Sequence, residues 1–396
     1  MKTWIIIVLA LSQASFAQKP LSYILKADFL LTDKQFDLSS QYIDSVKTLN
    51  YYSANLKGKI NLKLENWDKS ISALKKSNRL KEHFSDYDLA KAYALKNQED
   101  SLFYYLENHL ESTYKRKSNT ISLEPEFKEF KSSKLWKELN LKSYYTKKET
   151  ELEQAIYYKE KKELSLALDI LDELIINDKN FSEAYFYRSQ YIILLNHDYK
   201  YAIKDLKKAI KLNPEKAIYR STLSKYYLEG RKYKSALNLL IEGIQISPYR
   251  LQDYLLLSEA YYRTGSYDKA IESINTYLDV NFRNIEALKL AGQIYYDKGN
   301  FQTSINILTE AMYINMRRID ILAARGKSYL ENDEYQRAGM DFNIALDLDP
   351  NNGELWYLKG LAYMYQDKMR EACKYFTKAS YLNYYKAEEH LLKECQ

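Results

Sequence analysis

Side chains that could do chemistry are few and scattered. The four histidines, His83, His109, His197 and His390, include no pair at metal-ligand spacing, and neither a His-Glu-x-x-His nor a Cys-x-x-Cys stretch occurs. No Gly-rich phosphate-binding sequence is present. Ser72 and Lys75 stand at the Ser-x-x-Lys spacing of some acyl-transfer enzymes, but no companion motif accompanies them, and a lysine-rich chain produces that spacing freely. Asp347, Asp349, Asn351, Asn352 and Gly353 bring oxygen ligands together as a calcium loop does. Such a loop needs glycine at its sixth position and a bidentate glutamate at its twelfth, where this chain has Asn352 and Leu358. The stretch therefore reads as a polar turn after Pro350. We expect no catalytic residue, no metal, no cofactor and no enzymatic activity. The two cysteines, Cys373 and Cys395, leave two readings open, a disulfide formed in an oxidising compartment or a pair of free thiols.

Stepping outward from these residues, the chain shows a strict period. A small residue recurs as Ala202, Ala236, Ala270, Ser304, Ala338 and Ala372, at intervals of 34 residues. Tyr199, Tyr233, Tyr267, Phe301 and Tyr335 precede it by three, with Met369 the departure, and Tyr227, Tyr261, Tyr295, Tyr329 and Tyr363 precede it by nine. Twelve before it stand Gln190, Ser224, Ser258, Gly292, Gly326 and Gly360, a slot that shrinks towards the C-terminus. Small residues are needed where two helices cross closely, and aromatics fill the space beside such crossings. Each period is expected to be a helical hairpin, with turns at the polar clusters NHD, EGRK, TGS, KGN and END.

The pattern resembles the tetratricopeptide repeat. The copy from Glu354 to Tyr385 carries Trp356, Gly360, Tyr363, Ala372, Phe376 and Ala379 of that family's motif, although Tyr384 replaces the usual helix-ending proline. Pro214, Pro248 and Pro350 hold that slot in other copies. The resemblance implies an all-α, right-handed solenoid of helical hairpins. It also implies a concave groove lined by first-helix residues, which family members use to bind other proteins. Carried over position by position, the groove would hold Tyr187, Tyr191, Leu194, Lys225, Leu228, Glu259, Tyr262, Arg263, Lys289, Gln293, Tyr296, Lys327, Tyr357, Leu361 and Tyr365. The paired lysines and asparagines with which some members clamp a chaperone's C-terminus are not reproduced.

Along the chain, residues 1–17 read as a signal peptide: Lys2, an apolar run from Trp4 to Leu11, and Ser15 and Ala17 before the cleavage site. That run is too short to span roughly 30 Å of hydrocarbon. Residues 18–111 are expected to form about three degenerate hairpins, and 112–148 a helical cap or linker around Pro125, Phe127 and Trp136. Residues 149–386 should form seven regular repeats, and 387–396 a capping helix, so that the solenoid has two blocks. The 59 basic and 53 acidic residues give a formal charge of +6, too weak over 396 residues to indicate a nucleic-acid partner.

These features lead to the expectation of an exported scaffold, periplasmic or secreted, that inserts no segment into the membrane and binds another protein or peptide of the cell envelope. Assembly or secretion machinery is the setting expected for it. The alternative is a glycan- or peptidoglycan-binding module that stacks sugars on the tyrosine-rich groove.

Overall fold

The structure, a computed structural model, describes residues 19–395; the expected signal peptide lies outside them. Within these limits every regular element is a helix. The helices fall into consecutive pairs, and the described residues divide into two compact units, one of residues 19–226 with 242–250, the other of residues 227–241 with 251–395. The division falls within α13 (Ala217–Glu229) and α14 (Tyr233–Ile246).

In the first unit the hairpins are α1 (Lys19–Thr32) with α2 (Phe36–Asp44), α3 (Tyr51–Lys63) with α4 (Trp67–Leu80), and α5 (Asp86–Leu95) with α6 (Glu99–Glu111). Two short helices, α7 (Ser118–Ser122) and α8 (Lys134–Leu141), flank a 3₁₀ helix at Pro125–Ser132. Then come α9 (Lys147–Glu160) with α10 (Leu164–Asn177) and α11 (Ser182–Asn196) with α12 (Tyr199–Leu212). Phe127 is fully buried and, with Ile121, Phe130 and Leu139, joins the core of α5 and α6, so Phe127 and its neighbour Trp136 are packing residues. The turn after α14 packs on the first hairpins: Tyr249 stacks on Tyr52 with ring centroids 4.1 Å apart.

The second unit continues with α15 (Leu251–Arg263), α16 (Tyr267–Leu278), α17 (Ile285–Asp297), α18 (Phe301–Ile314), α19 (Ile319–Glu331), α20 (Tyr335–Leu348), α21 (Gly353–Met364) and α22 (Met369–Tyr381). Here the 34-residue period has a direct physical cause. A Cβ on Gly292 would lie 2.6 Å from Leu308, on Gly326 2.5 Å from Phe342, and on Gly360 2.5 Å from Phe376. Each glycine lets the facing helix press a fully buried side chain, four residues after the small slot, against its backbone. Where the slot is serine it also bonds across the crossing: Ser304 Oγ donates to the Gly292 carbonyl at 2.8 Å, and in the first unit Ser70 Oγ donates to Gly58 at the same distance. Such a bond satisfies a hydroxyl that burial would otherwise penalise.

The turns share a second device. Five residues before the small slot the backbone enters the left-handed region, at Lys34, Glu65, Lys162 and His197 in the first unit and at Arg231, Gly265, Gly299, Asp333 and Asp367 in the second. Only two of these nine are glycines, so the turn is imposed on ordinary residues by the packing of the helices on either side.

The last helix, α23 (Lys386–Glu394), covers the end of α22. Ala387 is fully buried, His390 lies against Tyr357 and Phe376, and a disulfide joins Cys373 to Cys395 with their Cα atoms 5.7 Å apart. Of the two readings left open for the cysteines, the structure has the bridge.

Candidate functional site

The first helices of successive hairpins present equivalent positions side by side, and in the second unit these form a polar ladder. Tyr262 Oη on α15 donates to Asp297 Oδ2 on α17 at 2.6 Å, and Gln293 Nε2 donates to the other oxygen at 3.1 Å. One repeat on, Lys289 Nζ reaches Asp320 Oδ2 at 2.8 Å and Glu286 Oε2 at 2.9 Å. Arg318 bridges the same two carboxylates at 2.7 and 2.8 Å. Lys327 Nζ then meets Glu354 Oε1 at 2.7 Å. Tyr365 lies against Tyr335 at 5.2 Å between ring centroids and is half exposed.

The electrostatics follow from these partners. Hydrogen bonds from Arg318 hold the Asp320 carboxyl well below the ordinary range, with Lys289 adding to the effect against the cost of burial. Hydrogen bonds from Lys289 and Arg318 lower Glu286 in the same way. Burial pushes the Tyr262 hydroxyl up, and its bond to the Asp297 carboxylate pushes it further. All of these groups keep their neutral-pH charge state. The ladder presents fixed charge and phenol along the first helices of the second unit.

The fifteen expected groove residues are not all accessible. Glu259, Tyr262, Arg263, Lys289, Gln293, Tyr296, Lys327, Leu361 and Tyr365 lie along the first helices of the second unit and keep part of their surface open. Tyr187, Leu194 and Lys225 are likewise accessible in the first unit, Leu194 being 55% exposed. Three residues need correction. Leu228 is buried, and Tyr357 is buried among Phe376, Tyr384 and His390, where it supports the C-terminal cap.

Tyr191, 3% exposed, is the third, because α11 is out of register with the strict period. The turn between α11 and α12 holds two residues, His197 and Asp198, where the turn between α17 and α18 holds three. The buried positions Ala184, Tyr185, Ser189 and Tyr191 match Ala287, Leu288, Gly292 and Ile294 only after a shift of one residue. Ser189 therefore fills the close-crossing slot expected of Gln190, and Gln190 and Ile193 take the outward places.

Three carboxylates that pair with the ladder's lysines were not among the expected residues, yet the sequence carries their signal. Glu286, Asp320 and Glu354 are separated by steps of 34 residues, and each pairs with a lysine of the ladder.

Residues elsewhere that could suggest chemistry serve the fold. Asn352 caps α21 by accepting from the Leu355 N–H at 3.2 Å. Ser72 and Lys75 are exposed on α4. Among the described residues no cluster of three or more His, Cys, Asp or Glu side chains could hold a metal ion, and no helix is long and apolar enough to cross a membrane.

A tetratricopeptide-repeat family model matches residues 254–314 and 323–380, the hairpins whose Gly–Phe and Gly–Leu crossings are described above. Those hairpins are tetratricopeptide repeats. Among solved structures, the C-terminal part of a TPR repeat-containing protein from Cytophaga hutchinsonii is similar at 14% identity and a TM-score of 0.49, over 61% of this chain and 99% of that one. A tetratricopeptide-repeat protein from Parabacteroides merdae is similar at 16% identity and a TM-score of 0.47, over 63% and 99%. YrrB, described as a TPR protein with an unusual peptide-binding site, is similar at 17% and 0.42, over 48% and 97%. No curated protein sequence matches the chain. Repeat arrays of this family serve as scaffolds for protein–protein interaction.

Proposed function

We propose that the protein is an exported, non-enzymatic scaffold that binds a protein or peptide of the cell envelope along the first-helix ladder of its second unit, within an assembly or secretion machine. The observation that carries this reading is the cross-repeat bonding of Tyr262 to Asp297, Lys289 to Asp320 and Lys327 to Glu354. It fixes long side chains in place before a partner arrives, so less conformational entropy is lost on binding. Open aromatic and arginine groups beside them, Tyr296, Tyr365 and Arg263, are the residue types that anchor partners at interfaces. Export rests on Lys2, the apolar run that follows and the small residues at Ser15 and Ala17.

The test is crosslinking mass spectrometry on intact cells carrying the full-length protein, beside a Tyr262→Ala, Tyr296→Ala variant. One envelope protein captured by the wild type and lost by the variant supports the reading. Capture that the variant leaves unchanged removes the ladder from it. Binding to purified wall polymer, with no protein captured, replaces the scaffold by the glycan-binding alternative.

A further inference from the structure

The furrow between the second helices α10 and α12, floored by α11, encloses a cleft of about 610 Å³ within the first unit. Leu168 and Ile175 on α10 and Ile192 on α11 give it apolar walls, and Lys204 and Lys208 stand one turn apart on its α12 rim. Across its floor runs a brace: Arg188 donates from Nε and Nη2 to the two oxygens of the buried Asp205 at 2.7 and 2.8 Å, and from Nη1 to Asp172 at 2.7 Å. The guanidinium is thereby neutralised. Among the described residues Lys204 and Lys208 meet no carboxylate, so the positive charge offered to a ligand is theirs.

The second unit contains the same brace without the lysines. Arg325 donates from Nε and Nη2 to Asp341 at 2.8 and 2.7 Å, and from Nη1 to Thr309 at 3.1 Å. Lys204 and Lys208 follow Ala202 by two and six residues; Met340 and Ile344 follow Ala338 by the same intervals and are exposed. The brace therefore belongs to the repeat's architecture, and the lysine pair is particular to the first furrow.

We propose that this furrow is a second binding site, for an extended peptide segment that carries a carboxylate beside an aliphatic side chain. The carboxylate pairs with Lys204 and Lys208, and the aliphatic group lies between Leu168, Ile175 and Ile192, out of water. Asp172, half exposed at the rim, opposes polyanions such as phosphate chains and favours a ligand of one or two charges. The site draws on none of the ladder's side chains and stands or falls separately from the proposed function.

The experiment is fluorescence anisotropy on the full-length protein, titrated against a fluorescein-labelled pentapeptide alternating leucine and aspartate. We expect saturable binding that the Lys204→Met, Lys208→Ile variant weakens about tenfold, as loss of two surface ion pairs implies. The Lys204→Gln, Lys208→Gln variant should show the same loss with an unchanged helical circular dichroism spectrum, which separates lost charge from lost fold. The asparagine version of the peptide should bind the wild type about tenfold more weakly. The Tyr262→Ala, Tyr296→Ala variant should bind like the wild type. Equal affinity for the asparagine peptide, equal affinity in both lysine variants, or no saturation at millimolar peptide would each overturn the proposal.

Discussion

The segment from α7 to α8 and the hairpins from α15 to α22 solve the same problem by opposite means. Both must bury helix faces against neighbouring helices. The regular hairpins do so by shape: a glycine at three of the four crossings receives one Leu or Phe, Ser258 faces Ile274 at the fourth, and the device recurs every 34 residues. The α7–α8 segment has no such repeat and relies on a set of individual contacts. Phe127 and Trp136 fill the space beside Phe103. Tyr87 donates to Glu124, Lys91 bridges Glu124 and Glu126 at 2.8 and 3.2 Å, and the Arg116 guanidinium lies 4.3 Å from the centre of the Tyr87 ring. The buried His109 accepts the Arg116 backbone N–H at 2.9 Å. A periodic packing solution can be repaired by copying a neighbouring repeat, whereas an aperiodic polar network has no template.

The largest effect that would sharpen this contrast is expected at Phe127. Phe127→Ala removes a fully buried ring that no neighbouring repeat can replace, and should cost about 3–5 kcal/mol in urea unfolding. A loss below about 1 kcal/mol would mean that the segment tolerates cavities and is not a specific core. Next comes the C-terminal cap. Replacing both Cys373 and Cys395 with serine opens a crosslink between residues 22 apart and should cost about 3 kcal/mol, with α23 losing hydrogen-exchange protection before α21 does. Equal loss across both helices would show that the cap is not a separate element.

Gly360→Ala should cost about 1–3 kcal/mol, because the new methyl group meets the buried Phe376 ring. Adding Phe376→Ile should restore most of that loss, since the hairpin of α15 and α16 already combines a buried slot residue, Ser258, with Ile274. If the second change fails to rescue the first, the shape account of the repeat is wrong.

The smallest effect at neutral pH distinguishes the polar network. Burial, with the Arg116 charge beside it, lowers His109 to about 4 from an ordinary value of 6.5. Burial alone would raise Glu124, but hydrogen bonds donated by Lys91 and Tyr87 help to bring it down to about 2 from 4.5. In both cases the unfolded chain takes up its proton first as pH falls, so stability is lost from about pH 6.5 to 4 through His109 and from about 4.5 to 2 through Glu124. Thermal melts across pH should show His109→Gln flattening the upper window and Glu124→Gln the lower. A pH profile that neither variant changes would remove the network from the account.

The same contrast explains what could be read from the sequence. The hairpins were legible because the small slot, its aromatic neighbours and the turn clusters repeat at one interval, and each repetition tests the others. The register of α11 was not, because a turn shorter by one residue rotates the helix by about 100° without changing the spacing of the small slots that flag the repeat. Tyr191 was therefore read as outward when it faces the core. Glu286, Asp320 and Glu354 show the converse: their spacing is regular, but a carboxylate becomes part of a surface only when the lysine it meets, one repeat away in two of the three cases, is known. Tyr357 carries no signal of its burial, since what covers it is Tyr384, at a slot the motif gives to proline, and His390, beyond the motif.

The central claim is that partners bind the first-helix ladder of the second unit. The most direct measurement places a photo-crosslinking amino acid at Gln293, at Tyr365 and, as the second-helix reference, at Met340, in separate full-length proteins expressed in cells. The account predicts one common adduct from Gln293 and Tyr365 and none from Met340. Adducts from Met340 alone, or equally from all three positions, would contradict it.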